Sequence, residues 1–371
     1  METTMHIKKP NGAIALVSDI TEQAVKLRAS DIHLEPRVDT LKVRYRVDGL
    51  LHDGMTIHKS MQASVISRIK VMVNLDIAEW RLPQDGRTFF NINGKEIDFR
   101  VSTIPTIHGE KIVMRLLERK SLLLGLSELG MTREDFILFK SLISKPQGML
   151  LVSGPTGSGK TTTLYAALSH INTNSLNIIT IEDPVEYQLP SINQIHVNYK
   201  AGLNFARGLR SILRQDPDVI MVGEIRDEET ARIAIQAALT GHLVLATVHA
   251  NDSASTIVRL MDMGIESYLI KATLIGVVAQ RLVRVYCKKC KGKAKCKECN
   301  FTGFNGRTGV YEILRISEDI KSLMSKGAQA TQIKKEAEKL GMKTLSQNGE
   351  RLLSNGITSR EEIIRSVYLD S

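Results

Sequence analysis

The sequence predicts an α/β protein in two parts, a smaller mixed unit followed by a larger one built on a parallel sheet. Three observations carry this. Four short apolar runs, at 149–153, 178–181, 219–222 and 243–248, alternate with helical segments, as in a parallel sheet covered on both faces. The first run leads into a glycine-rich loop with the spacing G-x-x-x-x-G-K-[ST], and a helical pattern leaves it. The 371 residues, 43% of them apolar, are enough to bury a core in each of two domains.

In chain order, residues 1–120 read as the first unit. Lys42 to Val47 alternates polar and apolar, the period of a half-buried strand, and Asp48-Gly49 closes it with a turn. Val65, Ile69, Met72 and Val73 share a helical face. Thr88 to Ile92 and Lys95 to Ser102 flank Asn93-Gly94, the signature of a tight hairpin, and a further strand is expected over Lys111 to Leu117. Residues 121–131 are the expected linker and 132–371 the second domain. Thr132 opens a helix there with capping-box spacing. The tail, 317–371, is expected to be helical, with a second capping box at Ser359 to Glu362.

The net charge of +10 first suggests a polyanionic partner, but its location matters more than its sum. Residues 281–307 hold nine Lys and Arg against Glu298, so +8 of the +10 lies in that window. All four cysteines, Cys287, Cys290, Cys296 and Cys299, lie there too, which is not the pattern of a secreted disulfide framework. Met1 to Pro10 is short and polar, and the longest apolar stretch, near 269–279, is far below the ~20 residues of a membrane span. These features predict a cytoplasmic protein that meets a membrane only peripherally.

Gly154, Pro155, Thr156, Gly157, Ser158, Gly159, Lys160, Thr161 and Thr162 form the candidate phosphate site. Glycines let backbone N–H groups wrap phosphates, Lys160 reaches the β and γ groups, and the Thr161 hydroxyl suits Mg²⁺. Such a loop needs a carboxylate on a neighbouring strand for metal and water. Glu224, delivered by Val219 to Val222, meets that need as a candidate Mg²⁺ ligand or general base. The cluster Glu182-Asp183-Pro184-Val185-Glu186 ends another buried run, where ligand groups of open α/β sheets sit, although acidic runs are as often solvated loops. His242 and His249 bracket the last apolar run. Lone histidines are more often structural, but His249, at the carboxyl end, is the candidate γ-phosphate sensor.

Taken in order, the phosphate loop, 181–186, LRQDPDVIMVGEIRD at 213–227 and TGHLVLATVHAN at 240–251 resemble the Walker A, Asp box, Walker B and His box of secretion ATPases. The likeness, closest to the GspE/PilB type of type II secretion, type IV pilus assembly and competence, runs from about Ala29 (ASDIHLEP) to the end. It implies a homo-hexameric ATP-hydrolysing motor, each subunit a PAS-like domain linked to a RecA-like ATPase domain, working on an inner-membrane platform protein, and the charge at 281–307 then reads as a patch facing that partner or acidic lipid. The resemblance also implies roles near the γ-phosphate for Arg100, Arg115, Arg210, Arg214 and Arg307, and a metal- or water-organising role for Glu186. A guanidinium over a transferring phosphoryl group accelerates hydrolysis by orders of magnitude. Family members often carry a further N-terminal docking domain; this chain begins almost at the PAS-like domain, as in shorter competence-type ATPases or a trimmed motor core. Retraction-type pilus ATPases as a rule lack the cysteine segment.

That segment, Cys287-x2-Cys290-x5-Cys296-x2-Cys299, presents two C-x-x-C knuckles suited to one tetrahedral Zn²⁺. The resembled family often carries a zinc insertion at this point, usually with a longer spacer. A closed four-thiolate site is structural, whereas the same motif also serves redox chemistry. Two rival functions follow from the same residues: a nucleic-acid-binding zinc-ribbon protein regulated by ATP, and a DNA-translocating ATPase of conjugation type, for which the cysteine segment offers no support. Nucleic acid is not the expected direct substrate.

Overall fold

A computed structural model of the chain describes residues 12–92, 94–118, 124–294 and 296–368. The chain divides into two compact units, residues 1–122 and 123–371.

In chain order, the first unit contains α1 (Gly12–Leu27), β1 (Asp31–Pro36), β2 (Thr40–Val47), β3 (Leu50–His58), α2 (Gln62–Met72), β4 (Gln84–Ile92), β5 (Lys95–Thr106) and β6 (Gly109–Glu118). Its strands form a six-stranded antiparallel sheet among the described residues, ordered β3-β2-β1-β6-β5-β4. Helix α1 was not read from the sequence, although Val17, Ile20 and Ala24 recur at helical spacing and are buried. Together with Val65 and Ile69 of α2 they cover Ile32, Leu34, Val43, Tyr45, Phe99 and Met114 on one sheet face. Asn93 of the expected hairpin turn lies outside the described residues, while Gly94 has the positive φ such a turn needs, +79°.

The opposite face is charged. Register places Arg46, Asp31, Arg115, Arg100 and Arg87 in one row across five strands. Residues directly opposite in neighbouring strands share a face, so four arginines and Asp31 lie in one row, and Arg87 at its end is held by Asp98 of β5. Asp31 answers two of them, with Arg115 Nε at 3.1 Å and Arg46 Nε at 3.7 Å.

The second unit continues with α3 (Arg133–Ile143), β7 (Gly148–Ser153), α4 (Lys160–Ile171), β8 (Ile178–Glu182), β9 (Asn193–His196), α5 (Phe205–Ile212), β10 (Val219–Val222), α6 (Glu228–Leu239), β11 (Leu243–Val248), α7 (Ser253–Asp262), α8 (Ser267–Thr273), β12 (Leu274–Tyr286), β13 (Phe304–Arg315), α9 (Glu318–Ser325), α10 (Ala330–Lys339), α11 (Leu345–Ser354) and α12 (Arg360–Ser366). Its seven-stranded sheet runs β13-β12-β7-β11-β10-β8-β9, parallel except for the β12–β13 pair. The expected parallel strands are β7, β8, β10 and β11. Alternate residues serve opposite layers: Leu151, Ile181, Val222 and Ala246 face α5 to α7, whereas Leu150, Val152, Met221 and Leu245 face α3 and α4. That two-sided burial is why these strands read as continuous apolar runs.

Residues 121–123 of the expected linker lie outside the described residues. Leu126 and Leu129 of its remainder are buried against α3 and α4, and the Tyr311 hydroxyl donates to the Leu129 carbonyl at 2.9 Å. Thr132 caps α3 by accepting from the Asp135 N–H, but the expected box is only half made, since the Asp135 carboxylate does not reach back to the cap N–H. The second expected capping box is corrected. Ser359 caps α12, but Glu362 does not reach back to the cap; its carboxylate is spent on Arg365 and on the Arg284 side chain and N–H of β12. Two guanidinium partners outcompete one backbone N–H for a carboxylate. Among the described residues no helix is long and apolar enough to cross a membrane.

Candidate nucleotide site and cysteine knob

The fully buried strand β7 ends at Ser153, and the phosphate loop turns from it into α4. Gly154 has φ +145°, and a Cβ there would stand 2.4 Å from the Gln280 carbonyl oxygen, so only glycine fits. Two buried hydroxyls on the loop, Ser153 Oγ and Ser158 Oγ, have no hydrogen-bond partner. Leaving such groups unmade costs about 1–3 kcal/mol each, which suits a loop built to receive phosphate oxygens. Lys160 Nζ donates to the Gly154 and Pro155 carbonyls at 2.8 and 3.1 Å. Burial draws this amine down to about 8, Arg281 adding to the fall and Glu224 opposing it. Thr161 and Thr162 lie in the first turn of α4, where free N–H groups and the helix dipole favour anions.

Glu224 follows Gly223 at the carboxyl end of β10. A Cβ on Gly223 would lie 3.2 Å from the Ile181 carbonyl and the Glu182 Cα, so glycine lets β10 and β8 close together here. Thr247 Oγ1 donates to the Gly223 carbonyl at 2.6 Å. The Glu224 carboxylate is then shared: His249 Nε2 lies 2.8 Å from Oε1, and Arg226 grips Oε2 with Nε at 2.7 Å and Nη2 at 2.6 Å. The structure thus joins Lys160, Glu224 and His249 electrostatically, three residues placed on separate strands or loops by the sheet order. His242, at the other end of β11, is a helix cap, its Nδ1 2.8 Å from the Ala237 carbonyl of α6.

Glu186 lies in the loop after β8, and its main chain hydrogen-bonds the Tyr165 hydroxyl of α4. Beneath it Glu182 is buried, accepting from Thr180 Oγ1 at 2.5 Å, from Gln194 Nε2 at 3.1 Å and from the Tyr165 hydroxyl. Burial pushes its pKa up against these bonds.

The five arginines fall in several places. Arg100 and Arg115 are cross-strand partners on the charged face of the first unit. Arg210 pairs with Glu229 of α6 at 2.5 Å, and Arg214, just past the end of α5, donates to the Arg210 carbonyl at 2.7 Å. Arg307 sits on β13 opposite Arg284, next to the cysteine knob. The hydrogen bonds of Arg210 and Arg214 among the described residues go to Glu229, to Ser211 Oγ and to the Arg210 carbonyl, away from the phosphate loop.

Residues not singled out from the sequence complete the site. Gln280 of β12 accepts from Thr163 Oγ1 at 2.8 Å, and its neighbour Arg281 donates to the Asn251 carbonyl, just past His249, at 2.8 Å. Their signal was present: a buried Gln-Arg pair interrupting an apolar run needs partners. Arg226, visible only as part of GEIRD, is another.

The cysteine segment is the loop between β12 and β13. Sγ separations are 3.6 Å for Cys287–Cys296, 3.6 Å for Cys290–Cys299 and 3.5 Å for Cys296–Cys299, with all four sulfurs within 4.8 Å. Four thiolates at ~2.3 Å around a tetrahedral zinc have edges of about 3.8 Å, so the donor set fits Zn²⁺. All four are free cysteines, and Lys295 of the spacer lies outside the described residues. The stem is firm: Tyr286 stacks on Phe304 at 5.2 Å, and Arg284 covers that ring at 4.0 Å.

A parallel sheet carrying a glycine-rich phosphate loop, a lysine and a strand-end glutamate defines a P-loop nucleotide hydrolase of RecA-like fold. The chain belongs to the family described as Type II/IV secretion system protein, which matches residues 8–365. It is 49% identical to the type II secretion system protein HxcR of Pseudomonas aeruginosa, over 98% of this chain and 80% of that one. It is 46% identical to the type IV pilus assembly ATPase PilB of Myxococcus xanthus, over 96% of this chain and 68% of the other. The fold resembles the ADP-bound pilus retraction motor PilT, with a TM-score of 0.67 at 28% identity over 94% of this chain and 96% of that one. It also resembles the ATPase DotB of Legionella pneumophila, with a TM-score of 0.75 at 22% identity over 96% of each chain. The GspE/PilB-type resemblance is thereby established, and the protein is an ATP-hydrolysing enzyme of the secretion and pilus class.

Proposed function

We propose that the chain is the subunit of a hexameric motor that converts ATP hydrolysis into work on an inner-membrane platform protein at the cytoplasmic face of the membrane. The observation that carries the reading is the convergence of Lys160, Glu224 and His249 at the carboxyl edge of one sheet. The names borne by HxcR and PilB support service in type II secretion or pilus assembly.

In this reading the loop N–H groups and Lys160 bind the phosphates, and the Thr161 hydroxyl would hold Mg²⁺. The metal, when bound, neutralises charge on the β and γ oxygens. Glu224 orients and deprotonates the attacking water, while Glu186, fastened through its main chain to Tyr165, organises metal-bound water. His249 reports the state of Glu224 to Asn251, whose carbonyl Arg281 holds. Arg100, Arg115, Arg210, Arg214 and Arg307 are assigned by the family resemblance to sensing the γ-phosphate, where a guanidinium stabilises the transferring group. The cysteine knob, loaded with Zn²⁺, stiffens a lysine-rich surface for platform or acidic lipid.

The test is Glu224→Gln in the full chain. A fluorescent ATP analogue should bind as to wild type while turnover falls at least about a hundredfold, the range for losing a general base. Substantial remaining hydrolysis would remove Glu224 from this role. Sizing by light scattering in ATP tests the hexamer.

A further inference from the structure

Strands β8 and β10 are parallel neighbours with Ile181 opposite Val222. Asp183 and Glu224 each stand two residues beyond that pair, so two carboxylates leave the same sheet edge side by side. Arg226 lies between their claims. It grips Glu224 Oε2 with both Nε and Nη2, which spends that oxygen's lone pairs on a guanidinium. His249 occupies Oε1. A carboxylate so held is well aimed but badly placed to take a proton from water.

Arg226 has somewhere else to go. Its side chain is 65% exposed, so it can move without stranding a buried charge. Asp183, which accepts a hydrogen bond from the Tyr199 hydroxyl, acts electrostatically on the Arg226 guanidinium.

We propose that Arg226 is a positioning residue for hydrolysis that exchanges between Glu224 and Asp183, restraining the carboxylate in the first position and freeing its Oε2 for a water proton in the second. This rests on the reading of Glu224 as the group that activates water. Asp183 then serves as the berth that lets the restraint be lifted, and Tyr199 steadies that berth. The two positions differ only in which carboxylate receives the fork, so the exchange needs no movement of the sheet.

The experiment compares Asp183→Asn, Arg226→Ala and the double variant in the full-length protein, with Glu224→Gln as reference. D183N removes the second berth and is expected to lower kcat about tenfold with KM little changed, a coupling within the usual range for contacting residues. Removing Arg226 as well should recover most of that loss. A double variant as slow as D183N, or slower, overturns the exchange, because an arginine needed only for structure would add its own damage. Binding of a fluorescent ATP analogue and the melting curve certify that each variant is folded and loaded. Wild-type turnover in E224Q would instead sink the reading of Glu224, whatever the cycle gives.

Discussion

Thr163, one turn into α4, donates its hydroxyl to Gln280 of β12 at 2.8 Å, and both side chains are buried. This bond joins the helix that follows the phosphate loop to the strand that runs on into Cys287. The Arg281 bond to the Asn251 carbonyl ties the next residue of that strand to the loop after His249. Strand β12 is therefore in contact with both ends of the candidate nucleotide site and continues into the stem of the knob.

The Thr163 hydroxyl also bonds the buried Tyr311 hydroxyl, so the loss of Gln280 removes one of its two side-chain partners. Gln280→Met should lower unfolding free energy by about 0.5–1.5 kcal/mol, the net contribution of one buried hydrogen bond. Thr163→Val removes both bonds of that hydroxyl, and its combination with Gln280→Met should cost less than the sum of the two single changes. Urea unfolding of the three variants checks the order, and additive losses would show that the bond is not the source of stability.

Lys160 gives nucleotide affinity a pH dependence. Its amine titrates near 8 in the folded protein, lowered first by burial. ATP favours the protonated amine, so affinity is flat below about pH 7 and falls as pH rises through 8, by up to about tenfold per unit until the pKa of the bound state is reached. Lys160→Arg binds more weakly but stays charged, and should lose this slope. Calorimetry in two buffers at pH 8 should also show proton uptake on binding by the wild type.

Acid should loosen α12 from β12. Glu362 is buried, which raises its pKa, yet Arg365 and Arg284 overcome this and hold it at about 2. A depressed folded pKa contributes stability that is complete above the ordinary carboxylate range and is lost as pH falls from about 4.5 toward 2. Glu362→Gln should therefore melt below wild type at pH 7, and the gap should close in that window. Thermal scans from pH 7 to pH 3 test it; a constant gap would assign the effect to packing.

Metal at the knob is open to a direct assay. Purified protein should carry one zinc per chain, and a strong chelator should lower the melting temperature by at least about 5 °C. Cys287→Ser should show the lower value before chelation and no further change after it. An unchanged melting curve in the wild type would argue that the four thiols do not hold a structural ion.

Much of the site was legible because it is local. The phosphate loop needs its glycines, lysine and threonine within eight consecutive positions, 154–161, and the two C-x-x-C knuckles lie within thirteen, 287–299. The parallel strands were legible for a similar reason, since burial on both faces leaves an unbroken apolar run. Helix α1 and strand β12 were not read, the first because its apolar spacing stands without a strong cap, the second because an apolar run ending in Gln280-Arg281 suits strand and helix equally. The five arginines were named by resemblance, and within one chain they are spread over β5, β6, α5 and its end, and β13.

The sequence by itself determined the chemistry available: a phosphate loop, strand-end carboxylates, four clustered thiols and a charge of +10 that lies mostly in 281–307. Only the tertiary structure decided which groups share a proton or a charge. Glu224 meets His249 because β10 and β11 are neighbours, and it is gripped by Arg226 at the same edge. Strand order is set by burying both faces of the whole sheet, a property of all its residues at once, and no local spacing encodes it.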